Sequence, residues 1–307
     1  MKPRLVWLLL CGIWGSTWLF IKLGLEDLPP FTFAGIRFVI AVAILFTIVK
    51  LRGLSLPATS RDWLLLSVSG VLAFFVNYGL LFWGEQYISS GLAAVLQSTI
   101  PAFGLVIAHF YLPGEKMTPA KILGIVLGVV GVAVIFSNQL AVAGPRALAG
   151  CAALIVSSIG AAYSNVLVKA YGKHLDPAIL AGGQMFFGMI LLLLVGIPWE
   201  GSPANFRWTP MAVVSLFYLA IVGSVVAFLL YYWLVHNMDV TKTMLIALVT
   251  PVVAVTLGLV VLKEELHWRT LLGGLMIFSG IGIIMKRQVS SKAQDPTSQI
   301  QDQQSHA

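Results

Sequence analysis

Residues 90–112 read SGLAAVLQSTIPAFGLVIAHFYL, without a single Asp, Glu, Lys or Arg. A helix that crosses the hydrocarbon core of a bilayer needs roughly 20 mostly apolar residues. A membrane-spanning strand needs only about ten, with alternating polarity. This run is continuously apolar over its whole length and so predicts a membrane helix, with Pro101 near its middle. A proline there cannot donate to the carbonyl four residues back and also crowds it. The carbonyl near residue 97 then needs another partner, which a substrate or a water can supply. The pattern returns at 241–262, TKTMLIALVTPVVAVTLGLVVL, where Thr250-Pro251 stands in the place of Ile100-Pro101.

Working outward, runs of the same kind lie at 5–25, 31–50, 63–84, 119–137, 147–170, 177–197, 211–233 and 269–286, which makes ten in all. Breaks such as Pro29-Pro30, Pro113-Gly114-Glu115-Lys116 and Lys263-Glu264-Glu265 separate them. The first run has Lys2 and Arg4 before it, as a secretory signal would. It lacks a small-x-small cleavage site and carries Trp14-Gly15-Ser16-Thr17-Trp18 in its middle, so it reads as a membrane helix. Composition agrees. The 307 residues are 59% apolar and 10% charged, against about 45–50% and about 25% in soluble domains. That excludes a soluble enzyme, a disordered chain and a disulfide scaffold; Cys11 and Cys151 each sit inside an apolar run. The net charge of +7 reads as loop charge that orients the protein, not as a nucleic-acid surface. Of the 19 lysines and arginines, only Lys22, Arg37, Arg146, Arg207, Lys263 and Arg269 fall on the side opposite the termini. Both termini are therefore expected in the cytoplasm.

Two halves repeat. Moving residues 86–116 forward by 150 carries Ile100-Pro101 onto Thr250-Pro251 and Glu115 onto Glu265. An offset of 149 carries Gly124 and Gly131 onto Gly273 and Gly280. An offset of 147 carries Lys22 onto Lys169, Pro30 onto Pro177 and Ala34-Gly35 onto Ala181-Gly182. Each match is weak alone, but their shared order runs across five helices. A five-helix unit is odd, so the second copy must lie upside down in the membrane. Inverted repeats of this kind mark secondary transporters, whose site lies near the midplane where the repeats meet. The expected fold is all-α and integral to the membrane, with ten transmembrane helices in two inverted five-helix repeats. The repeats span 1–140 and 147–286, and a disordered cytoplasmic tail follows at 287–307.

These residues match a known pattern. Trp14-Gly15-Ser16-Thr17-Trp18 with Lys22, then Arg37 after Ala34-Gly35, resembles the start of a drug/metabolite transporter of the EamA type. So does Tyr87 to Ala94 followed by Pro101, Glu115 and the Gly124–Gly131 helix. The resemblance covers about 5–286 and rests on the order of many weak motifs. The second repeat departs from it with Ala161-Ala162-Tyr163-Ser164-Asn165 in place of the Trp-Gly pair. The resemblance implies an inner-membrane carrier of small metabolites, often outward, with substrates across the family from amino acids to drugs.

Polar groups inside the bilayer are costly and usually face a bundle interior. Trp14 and Thr17 share a helix face, and the indole offers an apolar plate with one donor. Asn77 and Tyr78 lie deep in the third run, and Gln97 lies one turn before Pro101. Ser164, Asn165 and Thr250 hold related places in the second half. These eight residues are the candidate substrate contacts, and Pro101 and Pro251 are the candidate helix breaks. Each has a structural alternative: packing for Trp14, a bond between helices for Asn77, a bond to the freed carbonyl for Gln97, a kink for the prolines. Arg37 has two readings, attracting an anionic group or snorkelling outward, and snorkelling takes the larger share; Lys22 and Lys169 are expected to snorkel, and Tyr231 and Tyr232 to sit in the interfacial belt. Gln184 stands where the first repeat has Arg37. Glu115 and Glu265 read as structural charges at helix starts.

All twelve acids fall in loops, the tail or helix ends, which argues against a carboxylate relay. Facilitated diffusion or exchange fits best, with a proton antiport through a boundary group such as Glu85 left open. No cofactor and no metal site are expected. The expected partners are a small-molecule substrate and the lipid bilayer, not nucleic acid. The Gly-rich faces of Gly124, Gly128 and Gly131 or Gly273, Gly274 and Gly280 serve either close packing or a homodimer. The competing class is an intramembrane enzyme acting on lipid or peptide. It is disfavoured because the chain has no GxSG, no HExxH and no intramembrane aspartate pair. A channel is a third reading.

Overall fold

The computed structural model describes residues 3–112, 118–142, 144–237 and 246–293. Among the described residues every regular element is helical. In chain order they are α1 (Pro3–Gly24), α2 (Pro30–Leu51), α3 (Ser60–Glu85), α4 (Ser90–Tyr111), α5 (Pro119–Val142), α6 (Gly144–Tyr171) and α7 (Pro177–Glu200). Then come α8 (Pro210–Phe217, continuing through Tyr218–Val226 and Ala227–Asn237), α9 (Ile246–Val260) and α10 (Trp268–Ala293). Seven of these, α1 to α4 and α6 to α8, are long and apolar enough to cross a membrane. The apolar stretches of α5, α9 and α10 are shorter: Pro119–Ile135, Val249–Val260 and Trp268–Ile283. Helix α10 runs on to Ala293, through the start of the segment expected to be a tail; residues 294–307 lie outside the described residues.

The helix starts follow from local chemistry. Proline occupies the first helical position of α2, α7 and α8, where its missing N–H costs nothing. Thr59, Ser89, Asp176 and Thr209 accept backbone N–H bonds at the starts of α3, α4, α7 and α8. Thr118 does the same for the Lys121 N–H at the start of α5. The start of α2 has no cap of its own. There the Glu200 carboxylate, from the end of α7, accepts the Phe31 and Thr32 N–H groups at 2.8 and 2.7 Å.

The helix faces are sorted as lipid requires. Leu5, Leu8, Leu9, Val126, Leu194 and Leu275 are exposed, while Arg37, Asn77, Gln97, Ser157, Ser164 and Gln184 are buried. A water-soluble bundle would place them the other way round. This is a multi-pass membrane protein.

The two repeats interleave. Helix α2 packs along α7, and α5 along α10. Helix α1 packs on α8 and α9, while α6 packs on α3 and α4. Helix α2 also meets α8, and α7 meets α3. Exchanging the repeats maps α2–α7 and α5–α10 onto themselves and each other pairing onto another of the set, so the packing has the two-fold character that the sequence repeat implies. The Gly faces serve α5 against α10 within the chain. A Cβ at Gly131 would lie 2.5 Å from the Gly273 carbonyl oxygen, and one at Gly280 would lie 2.3 Å from that of Gly124. Backbones approach this closely only over glycine.

The repeats share one local feature and differ in another. Helices α3 and α8 each carry a π-helical stretch, Val71–Val76 and Tyr218–Val226. The offset of 147 lays 71–76 on 218–223, so the widened turns fall at matching places. π-turns are rare and frequently mark functional sites. The two prolines, by contrast, differ. Helix α4 is interrupted between Gln97 and Ile100, just before Pro101. There the Ser98 and Thr99 hydroxyls donate to the Val95 and Leu96 carbonyls at 2.6 and 2.7 Å. Pro251 does not break α9, which runs through it from Ile246 to Val260. The Thr250 hydroxyl donates to the Ile246 carbonyl one turn back. Gly15 of α1 lies close against Thr250 and Val253: a Cβ there would come within 2.4 Å of the Val253 side chain and 3.2 Å of the Thr250 carbonyl oxygen.

Candidate functional site

The most polar point of the interior is Arg37. Of its two readings, snorkelling is the one the structure does not bear out, because Arg37 is only 1% exposed. It points from α2 across the repeat boundary into the π-turn of α8. Its Nε donates to Ser224 Oγ at 3.0 Å, and one terminal nitrogen, Nη2, lies 3.5 Å from the Gly223 carbonyl oxygen. The other, Nη1, is buried with no hydrogen-bond partner. Ser224 in turn donates to the Leu219 carbonyl five residues back, the spacing of a π-turn. Gly223 leaves room for both neighbours: a Cβ there would sit 2.8 Å from the Thr17 methyl and 3.5 Å from Arg37 Nη2.

Aromatic rings surround the guanidinium. The centres of Phe38, Tyr78 and Phe82 lie 5.1, 5.0 and 5.9 Å from its central carbon. Such contacts contribute roughly 0.5–2 kcal/mol each, more when desolvated. A buried charge costs several kcal/mol after relaxation, so the rings offset only part of it. From Tyr78 the aromatic wall continues. Tyr78 stacks on Phe74 at 5.7 Å, Phe74 meets Phe228 at 6.0 Å, Phe228 meets Trp14 at 6.0 Å, and Trp14 meets Tyr231 at 5.4 Å. Tyr231 thus turns inward onto Trp14 instead of serving only as a belt residue. The side chain of Tyr232 lies outside the described residues.

Asn77 and Gln97 meet elsewhere, at the junction of α3, α4 and α6. Gln97 Nε2 donates to Asn77 Oδ1 at 2.9 Å and to Ser157 Oγ at 2.8 Å, while the Ser158 hydroxyl lies 3.1 Å from Gln97 Oε1. Gln97 thus spends its bonds on Asn77 and on α6. A third polar group joins α3, α6 and α7. Gln184 Nε2 donates to Ser69 Oγ at 2.8 Å, and Ser164 Oγ donates to the Ser69 carbonyl at 2.8 Å.

A model of the EamA-like transporter family matches residues 2–137 and again residues 148–286. The chain belongs to the EamA-like transporter family. With that family it belongs to the drug/metabolite transporter superfamily. It is 30% identical over 269 residues to the Bacillus subtilis uncharacterized transporter YoaV, covering 88% of this chain and 91% of that one. It is also 30% identical over 249 residues to the Escherichia coli uncharacterized inner membrane transporter YedA, covering 80% and 78%. A solved crystal structure shares the fold with a TM-score of 0.66 at 19% identity, over 96% of this chain and 99% of that one.

Within this EamA fold the eight candidate contacts do not form one group. Thr17 and Tyr78 border Arg37, and Trp14 lies further along the same wall. Asn77 and Gln97 form the second group, and Ser164 belongs to the third. The Thr250 hydroxyl bonds within its own helix. Asn165 is exposed on the outer face of α6, because one residue beyond the buried Ser164 turns the side chain about 100° around the helix.

Charges at the helix ends also depart from expectation. Glu265 is exposed, whereas its neighbour Glu264 turns inward. Glu264 accepts the Ser90 N–H at 2.8 Å, the Ser90 hydroxyl at 2.9 Å and the Gly91 N–H at 3.4 Å, capping α4. Glu115 lies outside the described residues. Lys22 does not snorkel: its ammonium donates to the Glu85 and Ile88 carbonyls at 2.6 and 2.7 Å, closing the end of α3. The Glu85 side chain beside it is fully buried, and neither carboxylate oxygen has a hydrogen-bond partner.

Proposed function

We propose that this EamA-family transporter is a secondary carrier that exports small organic metabolites such as amino acids, by alternating access at a midplane cavity between its repeats. The observation that carries the reading is the reciprocal crossing of the repeats. Helix α2 sends Arg37 into α8, and α7 sends Gln184 to α3. The helices that change partners when one repeat rocks against the other are those that hold the polar groups. The interior they enclose is aromatic and amide-rich, which suits amphipathic solutes better than cations. In this reading the ten helices form two inverted sets of five in the cell inner membrane, with both termini in the cytoplasm and with the small-molecule substrate and the lipid bilayer as partners. Exchange or facilitated diffusion is the favoured energetics.

The experiment is flux into and out of proteoliposomes for a panel of labelled amino acids, nucleosides and sugars, with and without a pH gradient. The expected result is saturable flux of at least one solute. Absence of flux for the whole panel, alongside turnover of an added lipid or peptide, overturns the proposal.

A further inference from the structure

The guanidinium of Arg37 carries a full charge into the centre of the bundle without its complement. Among the described residues no acidic side chain pairs with it; ion pairs such as Arg52 with Asp176, His174 with Asp62 and Arg207 with Asp27 lie near helix ends. Its hydrogen bonds are unevenly spread as well. Nε is fixed by Ser224, whereas Nη2 has one long contact and Nη1 none. The Ser224 bond orients the plane, and the under-bonded end is the fork made by the two terminal nitrogens. A fork of this shape matches a carboxylate, which accepts two parallel N–H bonds and supplies the missing charge. Beside the fork runs the wall of Tyr78, Phe74, Phe228 and Trp14, which would take an apolar or aromatic remainder.

We propose that Arg37 is the substrate-anchoring residue, binding the carboxylate of an amphipathic monocarboxylic solute whose apolar part lies along this aromatic wall. The proposal rests on the transporter reading and narrows its substrate class. It also assigns the neutral Gln184 of the second repeat no part in holding the anion, since both its close contacts are hydroxyls.

The test uses matched pairs that differ only at the carboxyl group: 3-phenylpropanoate against 3-phenylpropanamide, and L-phenylalanine against L-phenylalaninamide. Each is titrated onto the purified full-length protein, and the ligand-induced rise in unfolding midpoint is read. The acids are expected to bind the wild type at least about tenfold more tightly than the amides, the worth of a charge-assisted pair. Arg37→Gln is expected to erase the difference, and Arg37→Lys to keep part of it. Equal affinities for acid and amide in the wild type, no binding of either acid, or an undiminished preference in Arg37→Gln would each overturn the proposal. If that variant fails to fold, the wild-type comparison decides alone. Saturable flux of an uncharged solute by a protein indifferent to carboxylates would sink the anchor and leave the transporter reading standing.

Discussion

Arg37 and Gln184 hold the same place in the two repeats, and they solve the same packing problem differently. Each lies on the second helix of its repeat and reaches the third helix of the other. Gln184 is neutral and close-bonded: its amide donates to the Ser69 hydroxyl, and Ser164 ties the same turn of α3 to α6. Arg37 is charged and left short of partners, held by the Ser224 hydroxyl, one long contact to the Gly223 carbonyl and three ring faces. The scaffold is thus nearly symmetric, while the chemistry is not. A repeat that only had to hold the bundle together would be served better by the glutamine at both places. The costly residue is kept on one side, where the π-turn of α8 opens to receive it.

The harshest way to break this comparison is to charge the quiet side. Gln184→Arg would put an unpaired cation against two hydroxyls and the Gly70 backbone, whose Cα hydrogen already faces the Gln184 carbonyl so closely that a Cβ would come within 2.4 Å. An uncompensated buried charge costs about 3–5 kcal/mol. The variant is expected to lose its folded peak in size-exclusion chromatography. The reverse exchange, Arg37→Gln, removes a charge from the interior and keeps a donor within reach of Ser224. Its unfolding midpoint is expected to match or exceed that of the wild type. A Gln184→Arg protein as stable as the parent would show that the two sites are equivalent after all.

A milder break lies at the amide pair. Gln97→Leu takes the Gln97 donor from Asn77 Oδ1, a buried acceptor that costs about 1–3 kcal/mol when left unsatisfied, while the Ser157 and Ser158 hydroxyls keep their bonds to the Leu154 carbonyl. Asn77→Ala removes one end of the same bond. The double variant is expected to be less destabilised than the sum of the singles, since groups in one network are not additive. Additive losses in thermal unfolding would mean that the two amides act separately, as substrate contacts would.

The parts of this fold that the sequence displayed are those set by composition and period. Continuous apolar runs gave the helices, and the matched prolines and glycines gave the repeat. Residue type alone also identified the interior polar groups, because Asn77, Gln97, Ser164 and Gln184 have no reason to lie in lipid unless they meet one another. What could not be read was the direction in which a side chain turns. Arg37 was expected to reach for the surface, and it turns inward because Ser224 and three rings are brought to it by helices from across the chain. Asn165 misses the interior by one residue's rotation. The π-turns have no composition signal, since neither Val71–Val76 nor Tyr218–Val226 departs from an ordinary apolar helix. Pro101 and Pro251 read alike, yet one helix is interrupted just before its proline and the other runs through it.

The smallest expected effect concerns the acids that tie the second repeat to the helix starts of the first. Glu200 receives two backbone N–H groups of α2, and Glu264 receives two N–H groups and a hydroxyl of α4. Both add a negative charge at the positive end of a helix dipole, worth about 0.3–1 kcal/mol at exposed sites and up to about 2 kcal/mol when partly buried. Glu264→Gln and Glu200→Gln keep one acceptor oxygen, turn the other into an NH2 that faces a donor, and lose the charge, and each is expected to lower the unfolding midpoint by a few degrees. Glu265→Gln, one residue along and exposed, is expected to change nothing. The order matters more than the size. If Glu265 proves the sensitive position and Glu264 the silent one, the inward turn of Glu264 over Gly258 is wrong, and with it the way α9 closes on the start of α4.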